Sequence, residues 1–423
     1  MNNYFENIIG YDYVKEELAM ILDIMKNEEK YKKLGAKIPK NILLHGVPGV
    51  GKSLFANAFV ESCGRKTYVI RKNKPNGSFV DEIKSIFEEA KNNQPSIVVL
   101  DDLDKFSNGD QNHVNCEEYI TVQSCIDEAK EMDVFVFATA NSFGNLPPSL
   151  FRSGRFDKKI EVRVANGEDS KSIIKHYLSD KMLDDSINSD VIARILEGDS
   201  CASIEAIINN AAVYAGYANR KKICLDDIIK AIIDIRYGRE KDNEKLTTDS
   251  NLSMVAYHDA GHAVMHEILF PNTLTFVLAD FGEISNGITS YHISKDLYCN
   301  LEHVKNRIII ALSGKAAIEV VFGKPDMGCR SDLREAYCEA ESIVDDHLVY
   351  GFDKFLRKTN SNQILERREN TISMLLEQCY QEAKRILIKN KLFLDKVANE
   401  LLQKKVLIYT DIDRIKESCK IER

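Results

Sequence analysis

The first 165 residues alternate short, uninterrupted apolar runs with longer stretches in which apolar positions recur every three or four residues. The apolar runs fall at residues 41–45, 67–70, 96–100, 134–138 and 159–162. Runs of this length, separated by amphipathic helices, are typical of strands in a parallel sheet that is covered on both faces. The pattern therefore predicts an α/β domain over residues 1–165.

The pattern changes to helices alone between residues 166 and 238. One helix face with the spacing i, i+3, i+4, i+7, i+8 is formed by Ile204, Ile207, Ile208, Ala211 and Ala212. Residues 239–250 are polar and charged, which is the composition of a linker. Residues 251–423 are predicted to be mostly helical, with a hairpin between residues 273 and 293. The chain is thus predicted to have a small helical domain and a linker before its last domain.

Composition narrows the classes of function. The 423 residues include 57 basic and 65 acidic side chains, so the formal net charge is −8, and no long basic block occurs. Nucleic acids and anionic membranes attract clustered Lys and Arg, so neither is expected as a main partner. No run approaches the roughly 18 apolar residues of a membrane span, and the ten cysteines include no C-x-x-C pair. We expect a protein of the reducing cytoplasm, neither exported nor spanning a membrane.

A phosphate-binding loop is predicted directly after the first apolar run. It follows the pattern G-x-x-x-x-G-K-[ST] and consists of Gly46, Val47, Pro48, Gly49, Val50, Gly51, Lys52 and Ser53. In such a loop, backbone N–H groups and a helix N-terminus bind phosphate oxygens, and the lysine reaches the terminal phosphates. The Ser53 hydroxyl is expected to bind Mg²⁺. The strand, loop and helix context favours a nucleotide site over a surface glycine loop.

Two carboxylates follow the third apolar run. Asp101 is expected to hold Mg²⁺ through water, and Asp102 is expected to polarise the water that attacks the terminal phosphate. An acidic strand end on its own is unspecific, because it can be a solvated terminus only. Its position downstream of Lys52 favours the catalytic interpretation.

A second candidate site lies in the last domain, where His258 and His262 are four residues apart. Residues at i and i+4 share one face of a helix, so both imidazoles can bind one Zn²⁺. The acid Asp259 follows the first histidine, which makes a chance match less frequent. Surface or packed histidines remain an alternative for the spacing alone. His266 lies one turn further and is interpreted as a supporting or incidental residue.

The segment after the fourth apolar run resembles part of the AAA+ ATPases. Asn141 resembles the sensor 1 residue, and residues 146–157 resemble the arginine-finger segment. The resemblance implies that Asn141 orients water near the γ-phosphate and that Arg152 and Arg155 reach the nucleotide of a neighbouring subunit. A homohexameric ring is implied with it. Without the resemblance, two arginines near a glycine are more often surface ion-pair formers.

The chain as a whole is similar to the FtsH-type AAA+ ATP-dependent zinc metalloproteases. Residues 5–10 resemble the opening of that family's ATPase, and residues 311–323, 349–353 and 374–416 resemble parts of its peptidase domain. The resemblance implies an α/β P-loop AAA+ ATPase domain with a small helical lid, followed by a mostly α-helical zinc metallopeptidase domain. ATP, Mg²⁺ and Zn²⁺ are the implied cofactors, and polypeptides are the implied substrates.

The same resemblance assigns roles around the two histidines. The family's peptidase motif is His-Glu-Ala-Gly-His, so His258 and His262 are implied as zinc ligands and Asp259 as the general base. A distant Asp is the family's third ligand, and Asp332 is the matching residue, which leaves the fourth position to water. Residues 289–292 resemble the edge strand that pairs with substrate backbone, although an ordinary hairpin explains them equally.

Several positions depart from the family pattern. Asp259 and Asp102 each stand where the family has Glu, and one methylene fewer withdraws a carboxylate by about 1.5 Å, which can cost on the order of 100-fold in rate. Residues 71–77 are shorter than the family's aromatic substrate-gripping loop, and Phe79 is the nearest aromatic candidate. The family's Asp-Gly-Phe signalling segment is not found between residues 127 and 135. Its usual N-terminal membrane anchor is not found either.

Three hypotheses follow. The first is an ATP-dependent zinc endopeptidase that unfolds and degrades polypeptides in a ring, and the complete phosphate loop with three zinc ligands favours it. The second is a peptidase-impaired AAA+ remodelling ATPase or chaperone that keeps zinc for structure, and the two Glu-to-Asp changes favour it. The third is a regulatory module that binds nucleotide without hydrolysing it, which would follow if Asp102 cannot position water. We adopt the first hypothesis as the working interpretation.

Overall fold

A computed structural model of the chain divides into two compact units, Met1–Tyr237 and Gly238–Arg423. The structure describes residues 4–36, 39–72, 78–107, 116–165, 167–185, 187–236, 238, 249–279, 288–291, 300–325, 328–350 and 362–423. None of the helices within these ranges has both the length and the apolar composition that a membrane crossing requires. Each unit is described by itself below.

The first unit is built on a five-stranded parallel sheet. Its strands are β1 Asn41–His45, β2 Lys66–Arg71, β3 Ser96–Asp101, β4 Val134–Ala140 and β5 Lys158–Glu161. Their order across the sheet is β2-β3-β4-β1-β5. The predicted α/β class is confirmed. The ends of each predicted apolar run agree with the ends of a strand to within two residues. Strands β3 and β4 are buried along their whole length, which agrees with apolar residues that follow one another in their central parts instead of alternating with polar ones.

Five described helices complete the α/β part of this unit; the first two precede β1 and the other three lie between successive strands. They are α1 Asp12–Lys26, α2 Glu28–Lys33, α3 Lys52–Cys63, α4 Ser78–Asn92 and α5 Glu117–Glu128. Since all five strands are parallel, the carboxyl ends of β1, β3 and β4 meet at the same edge of the sheet. The residues that follow these three strands are therefore brought together by the topology.

Four helices follow the sheet: α6 Gly167–Leu178, α7 Ser189–Ile195, α8 Cys201–Tyr217 and α9 Leu225–Arg236. The predicted apolar face of α8 is buried at its first four positions, but Ala212 is only partly buried and Ala215 is buried instead. Eleven residues make almost three full turns at 3.6 residues per turn, so Ala215 lies closer to the line of Ile204 than Ala212 does. The buried face is thus narrower than the predicted one.

The second unit is mostly helical around a three-stranded antiparallel sheet. Its elements are α10 Asp249–Leu269, β6 Leu274–Leu278, β7 Ile288–Tyr291, α11 Leu301–Phe322, α12 Arg330–Asp345, α13 Asn362–Lys389, α14 Lys391–Lys404, β8 Val406–Ile408 and α15 Tyr409–Glu417. The sheet order is β7-β6-β8. The pairing of β6 with β7 agrees with the predicted hairpin.

Two details of this unit differ from the sequence-based expectations. Strand β8 was not expected, since residues 251–423 were predicted to be mostly helical with one hairpin. Its three apolar residues pair with β6 more than 120 positions earlier in the chain. Such a distant partner leaves no local pattern for a three-residue strand. The last two residues of the expected linker belong to α10, which begins at Asp249.

Helices α10 and α11 cross at very short distance. A β-carbon placed on Gly261 of α10 would lie 2.7 Å from the backbone oxygen of Ser313 and 2.7 Å from the β-carbon of Ala317, both on α11. Only glycine allows this approach, because real β-carbons do not come so close to other atoms. The crossing sets the position of the two histidines that flank Gly261 in sequence.

Candidate nucleotide and metal sites

The phosphate loop joins β1 to α3 and depends on its glycines. Gly49 and Gly51 have φ values of +81° and +97°, in the left-handed region that other residues rarely adopt. A β-carbon on Gly46 would collide with the backbone oxygen of Val162. The loop and the start of α3 line a cavity of about 660 Å³. Backbone N–H groups at a helix N-terminus and a cavity of this size suit a nucleoside triphosphate.

Lys52 is held within the loop. It is 6% exposed, and its Nζ donates hydrogen bonds to the backbone oxygens of Gly46 at 2.7 Å and of Val47 at 2.9 Å. Burial lowers the pKa of Lys52. Ser53 follows it at the wall of the same cavity, so the predicted phosphate-binding and Mg²⁺-binding side chains are adjacent.

Asp101 and Asp102 lie where β3 ends, and Thr139 of β4 connects them. The Thr139 hydroxyl donates to Oδ1 of Asp101 at 2.8 Å and accepts the backbone N–H of Asp102 at 2.9 Å. Asp102 has a φ of +55°, which turns the chain away from the strand. Thr139 was not predicted, and the only signal was a hydroxyl in an otherwise apolar run.

Asn141 lies beside these acids. Its Nδ2 donates to Oδ1 of Asp102 at 3.0 Å, and its backbone N–H donates to Oδ1 of Asp104 at 2.9 Å. Burial acts to raise the pKa of Asp102, but hydrogen bonds from Lys105 and Asn141 with the nearby charges lower it below its ordinary value. The predicted sensor residue and the predicted catalytic carboxylate are thus in direct contact.

The far end of the cavity is formed by residues that were not predicted. Ile8 and Tyr11 from the N-terminal segment and His176 from α6 line it. The backbone N–H of Ala202, in the first turn of α8, donates to the oxygen of Gly49 at 3.0 Å. Apolar and aromatic side chains suit a purine base. No sequence pattern marked these positions, because three distant segments meet only in the folded unit.

The two predicted arginine fingers differ in environment, and neither lines the nucleotide cavity of its own chain. Arg152 is exposed, and its side chain makes no hydrogen bond or ion pair with the part of the chain that the structure describes. Arg155 donates from Nε and Nη2 to the two carboxylate oxygens of Asp127, at 3.1 and 2.7 Å. Gln123 also accepts a hydrogen bond from Arg155, at 2.6 Å. Of the two arginines, Arg155 is therefore held within its own unit, whereas the Arg152 side chain is exposed.

Phe79 is not a substrate-gripping residue. It is 3% exposed, and its ring packs edge-on against Phe106 at a centroid distance of 5.0 Å. The side chain belongs to the core because α4 begins at residue 78 and turns this position inwards. Residues 73–77, which contain the remainder of the segment considered for this role, lie outside the described residues.

The metal site brings together His258 and His262 of α10 and Asp332 of α12. The Oδ2 atom of Asp332 lies 3.1 Å from Nε2 of His258 and 3.5 Å from Nε2 of His262, and the two Nε2 atoms are 3.2 Å apart. The three side chains are 19%, 13% and 22% exposed. One side of the trio is therefore open to solvent.

These distances fit zinc. A tetrahedral Zn²⁺ with bonds of about 2.0 Å to nitrogen and oxygen separates its ligand atoms by about 3.3 Å. The three observed separations lie on either side of that value. Two imidazoles and one carboxylate with an open position are a catalytic zinc set. No other group of three His, Cys, Asp or Glu side chains within the described ranges has such geometry.

The surroundings orient the ligands. Nδ1 of His262 donates to the backbone oxygen of Ile310 at 2.9 Å, which leaves Nε2 as the unprotonated nitrogen that a metal needs. Burial acts to raise the pKa of Asp332, but its interactions with the imidazoles of His258 and His262 hold it well below its ordinary value. Asp332 is thus a carboxylate that faces two metal-binding nitrogens.

Two further residues complete the site. Asp259, the predicted base, is 2% exposed, and it follows the ligand His258 on α10. Gly314 of α11 was not predicted, and a β-carbon there would lie 2.6 Å from Cε1 and 2.7 Å from Nε2 of His258. Its sequence signal was weak, because it is one of several small residues on α11. Glycine at this position makes room for the imidazoles.

His266 does not join the metal ligands. It is fully buried, and its Nδ1 lies 3.0 Å from Oγ1 of Thr273, whose own hydroxyl donates to the oxygen of Phe270 at 2.6 Å. Its ring also packs against that of Tyr291 on β7, at 4.0 Å. It therefore connects α10 to the sheet. Tyr291 is the last described residue of the expected edge strand, and residue 292 lies outside the described residues.

Comparison with known proteins agrees with both sites. Residues 42–164 match the ATPase family associated with various cellular activities (AAA), and residues 245–415 match peptidase family M41. The chain is 29% identical over 98% of its length to the ATP-dependent zinc metalloprotease FtsH 2 of Thermoanaerobacter sp. (strain X514), of which 83% is covered. It is 29% identical over 99% of its length to the ATP-dependent zinc metalloprotease FtsH of Ruminiclostridium cellulolyticum, of which 72% is covered.

A third relative, the ATP-dependent zinc metalloprotease FtsH 2 of Phytoplasma mali, is 28% identical over 99% of the chain, which covers 63% of that protein. The two family matches and these alignments extend over both units and include the phosphate loop and the histidine pair. The chain therefore belongs to the FtsH-type AAA+ zinc metalloproteases.

Proposed function

We propose that the chain is an ATP-dependent zinc metalloendopeptidase that assembles into a homohexameric ring and unfolds and degrades polypeptides. The observation that carries the proposal is the trio of His258, His262 and Asp332, whose ligand atoms have tetrahedral spacing and an open side. A complete phosphate loop on the same chain supports the dependence on ATP.

Within the nucleotide site, Lys52 and the loop N–H groups bind and orient the phosphates of ATP. Mg²⁺, held by Ser53 and through water by Asp101, would neutralise charge on the β- and γ-phosphates. Asp102 accepts a proton from the attacking water, which Asn141 orients. The hydrogen bond between Asn141 and Asp102 supports this division of roles, because it fixes both groups on one side of the cavity.

Within the metal site, His258, His262 and Asp332 would hold Zn²⁺, which supplies a Lewis acid for the scissile carbonyl and acidifies water. Asp259 acts as the general base for the attacking water and returns the proton to the leaving amine. Its place one residue after His258 on α10, shielded from bulk solvent, supports this role. Strand β7 at the edge of its sheet offers backbone groups to an extended substrate.

The ring places Arg152 of one subunit at the nucleotide of the next. Its exposure, and the lack of a partner for it within the described part of the chain, support that role. Arg155 supports the segment through its bidentate pair with Asp127. A cytoplasmic location is part of the proposal, and the nine described cysteines, all free, are consistent with a reducing compartment.

Casein degradation by the zinc-loaded protein tests the proposal, with and without ATP and with and without a chelator. The comparison includes Asp259→Asn and Asp259→Glu. We expect cleavage that needs both ATP and metal, is lost in Asp259→Asn, and is increased in Asp259→Glu because the longer carboxylate restores about 1.5 Å of reach.

Each other result has a defined meaning. No cleavage by the unchanged chain together with cleavage by Asp259→Glu would show a peptidase that the shorter side chain has switched off. No cleavage by either, with ATP hydrolysis intact, would reject the endopeptidase function. Cleavage retained in Asp259→Asn would remove Asp259 from the role of base.

A further inference from the structure

Both carboxylates at the end of β3 have basic partners from the same chain. Arg71, the last residue of β2, is paired with Asp101 in the parallel register of β2 and β3. Its Nε donates to Oδ2 of Asp101 at 2.8 Å, and its Nη2 contacts the same oxygen. Nζ of Lys105 donates to Oδ2 of Asp102 at 2.7 Å. Neither basic residue was expected at this site from the sequence.

The Arg71 pair covers the carboxylate that is expected to face Mg²⁺. The Asp101 side chain is 9% exposed, whereas that of Arg71 is 60% exposed. Oδ1 of Asp101 already accepts the Thr139 hydroxyl, so Oδ2 is the oxygen left for a cation, and Arg71 occupies it. The guanidinium therefore lies between the buried carboxylate and solvent.

A guanidinium and a hydrated Mg²⁺ would both donate hydrogen bonds to Oδ2 of Asp101. Mg²⁺ keeps most of its water and uses one or two carboxylates through those waters. The waters would donate hydrogen bonds to Oδ2, as Arg71 does. The two cations also repel each other at short distance. Arg71 must move or share the oxygen when the metal arrives.

We propose that Arg71 competes with Mg²⁺ for Asp101, so that nucleotide binding requires a higher Mg²⁺ concentration than it would with a neutral residue at position 71. The inference rests on the proposed ATPase function. Arg71 balances the charge of Asp101 when the metal is not there. Lys105 keeps its place on Asp102, because its pair does not involve the metal-facing carboxylate.

The test is an Mg²⁺ titration of the binding of a fluorescent ATP analogue to the full chain. The midpoint in Mg²⁺ is compared among the unchanged chain, Arg71→Ser and Arg71→Lys. We expect the Arg71→Ser midpoint to fall by about fivefold, since an ion pair with one mostly exposed partner is of that order. Arg71→Lys keeps the charge, so its midpoint is expected near that of the unchanged chain.

Arg163→Ser is the matched control. Arg163 lies two residues after β5 and also forms an ion pair, with Glu161 at 2.9 Å, but it contacts neither Asp101 nor Asp102. Its midpoint is expected to equal that of the unchanged chain. Far-UV circular dichroism confirms that each variant is folded, and Arg71→Gln replaces Arg71→Ser if the serine variant is not.

The outcomes separate this inference from the proposed function. The proposed competition would be overturned if Arg71→Ser or Arg71→Gln still bound nucleotide but had an Mg²⁺ midpoint equal to or higher than that of the unchanged chain. Loss of nucleotide binding in folded Arg71→Ser would also overturn it, because Arg71 would then be a direct nucleotide ligand. No Mg²⁺-dependent nucleotide binding by the unchanged chain would instead overturn the ATPase function itself.

Discussion

At the scale of single residues, both sites depend on glycines, because a β-carbon would not fit at their positions. Gly46, Gly261 and Gly314 each lie where a β-carbon would be closer than contact distance to a neighbouring atom. These glycines bring a strand, a helix crossing and a metal ligand into positions that any other residue would change. This backbone framework positions the side chains of both candidate sites.

Gly314→Ala tests that point at the metal site. The added methyl group would lie 2.7 Å from Nε2 of His258, so the imidazole has to move. We expect zinc affinity to fall by about 10- to 100-fold, as it does when groups behind metal ligands are changed. Competition with a chromophoric chelator of known zinc affinity measures this directly.

The matched control is Gly216→Ala on α8. A β-carbon there meets nothing within 4 Å, so this change is expected to leave zinc affinity unchanged and to stabilise the helix by up to about 1 kcal/mol. Equal zinc affinities for Gly314→Ala and the unchanged chain would show that α11 gives way at no cost to the site.

At the scale of elements, helix α10 carries three histidines on successive turns that have two different roles. His258 and His262 face α12 and the metal position, whereas His266 packs against β7. Burial, with the charge of His262 as a second cause, lowers the pKa of His266 to about 3. The helix is therefore attached to its sheet through a histidine that has to stay neutral.

This neutrality predicts a pH-dependent stability. The unfolded chain binds a proton at His266 near pH 6.5, and the folded chain does so only near pH 3. The contribution is fully present above pH 6.5 and is lost progressively as the pH falls towards 3. When the pH falls from 8 to 5.5, protonation of His266 in the unfolded chain lowers the free energy of unfolding by about 1.4 kcal/mol.

Urea unfolding of the zinc-loaded chain at both pH values measures this effect. His266→Leu is expected to lose about 1.4 kcal/mol less than the unchanged chain over that range, whatever its absolute stability. His347→Gln, at an exposed position in the same unit, controls for the loss of one histidine and is expected to follow the unchanged chain. The same pH dependence in His266→Leu and the unchanged chain would contradict the argument.

At the scale of the whole molecule, we propose that a second copy of the chain completes the ATPase site. The nucleotide cavity contains Lys52, Asp102 and Asn141, but neither predicted arginine finger lines it. In a ring, the exposed Arg152 of one subunit would supply the missing positive charge to its neighbour. Charge stabilisation of this kind is worth on the order of 10³-fold or more in phosphoryl transfer.

Mixing two inactive variants tests the ring. Lys52→Ala removes nucleotide binding from its own subunit but keeps Arg152, and Arg152→Ala does the reverse. In mixed rings, some nucleotide sites have both an intact Lys52 and an intact Arg152 from the neighbouring subunit. The mixture is therefore expected to hydrolyse ATP faster than either variant alone, as measured by phosphate release. A mixture no faster than the better variant would place Arg152 outside the catalytic machinery or the chain outside a ring.

Much of this protein follows from local sequence. The apolar runs predicted all five strands of the parallel sheet. Strands β3 and β4 are buried along their whole length, whereas the edge strands β2 and β5 are largely exposed. The phosphate loop and the histidine pair could be located because one short segment carries all their chemistry. Local patterns did not suggest β8, whose partner strand is more than 120 residues away.

The remainder was decided by tertiary structure. Arg71 reaches Asp101 only because β2 and β3 are neighbours in the sheet, and Gly314 reaches the histidines only because α10 and α11 cross there. Phe79 is buried because of how α4 packs. Sequence spacing determines which groups lie on one element, whereas contacts between elements depend on the packing of the whole unit. The sequence by itself therefore located the two candidate sites, and the folded units decided which further residues, such as Arg71 and Gly314, contact them.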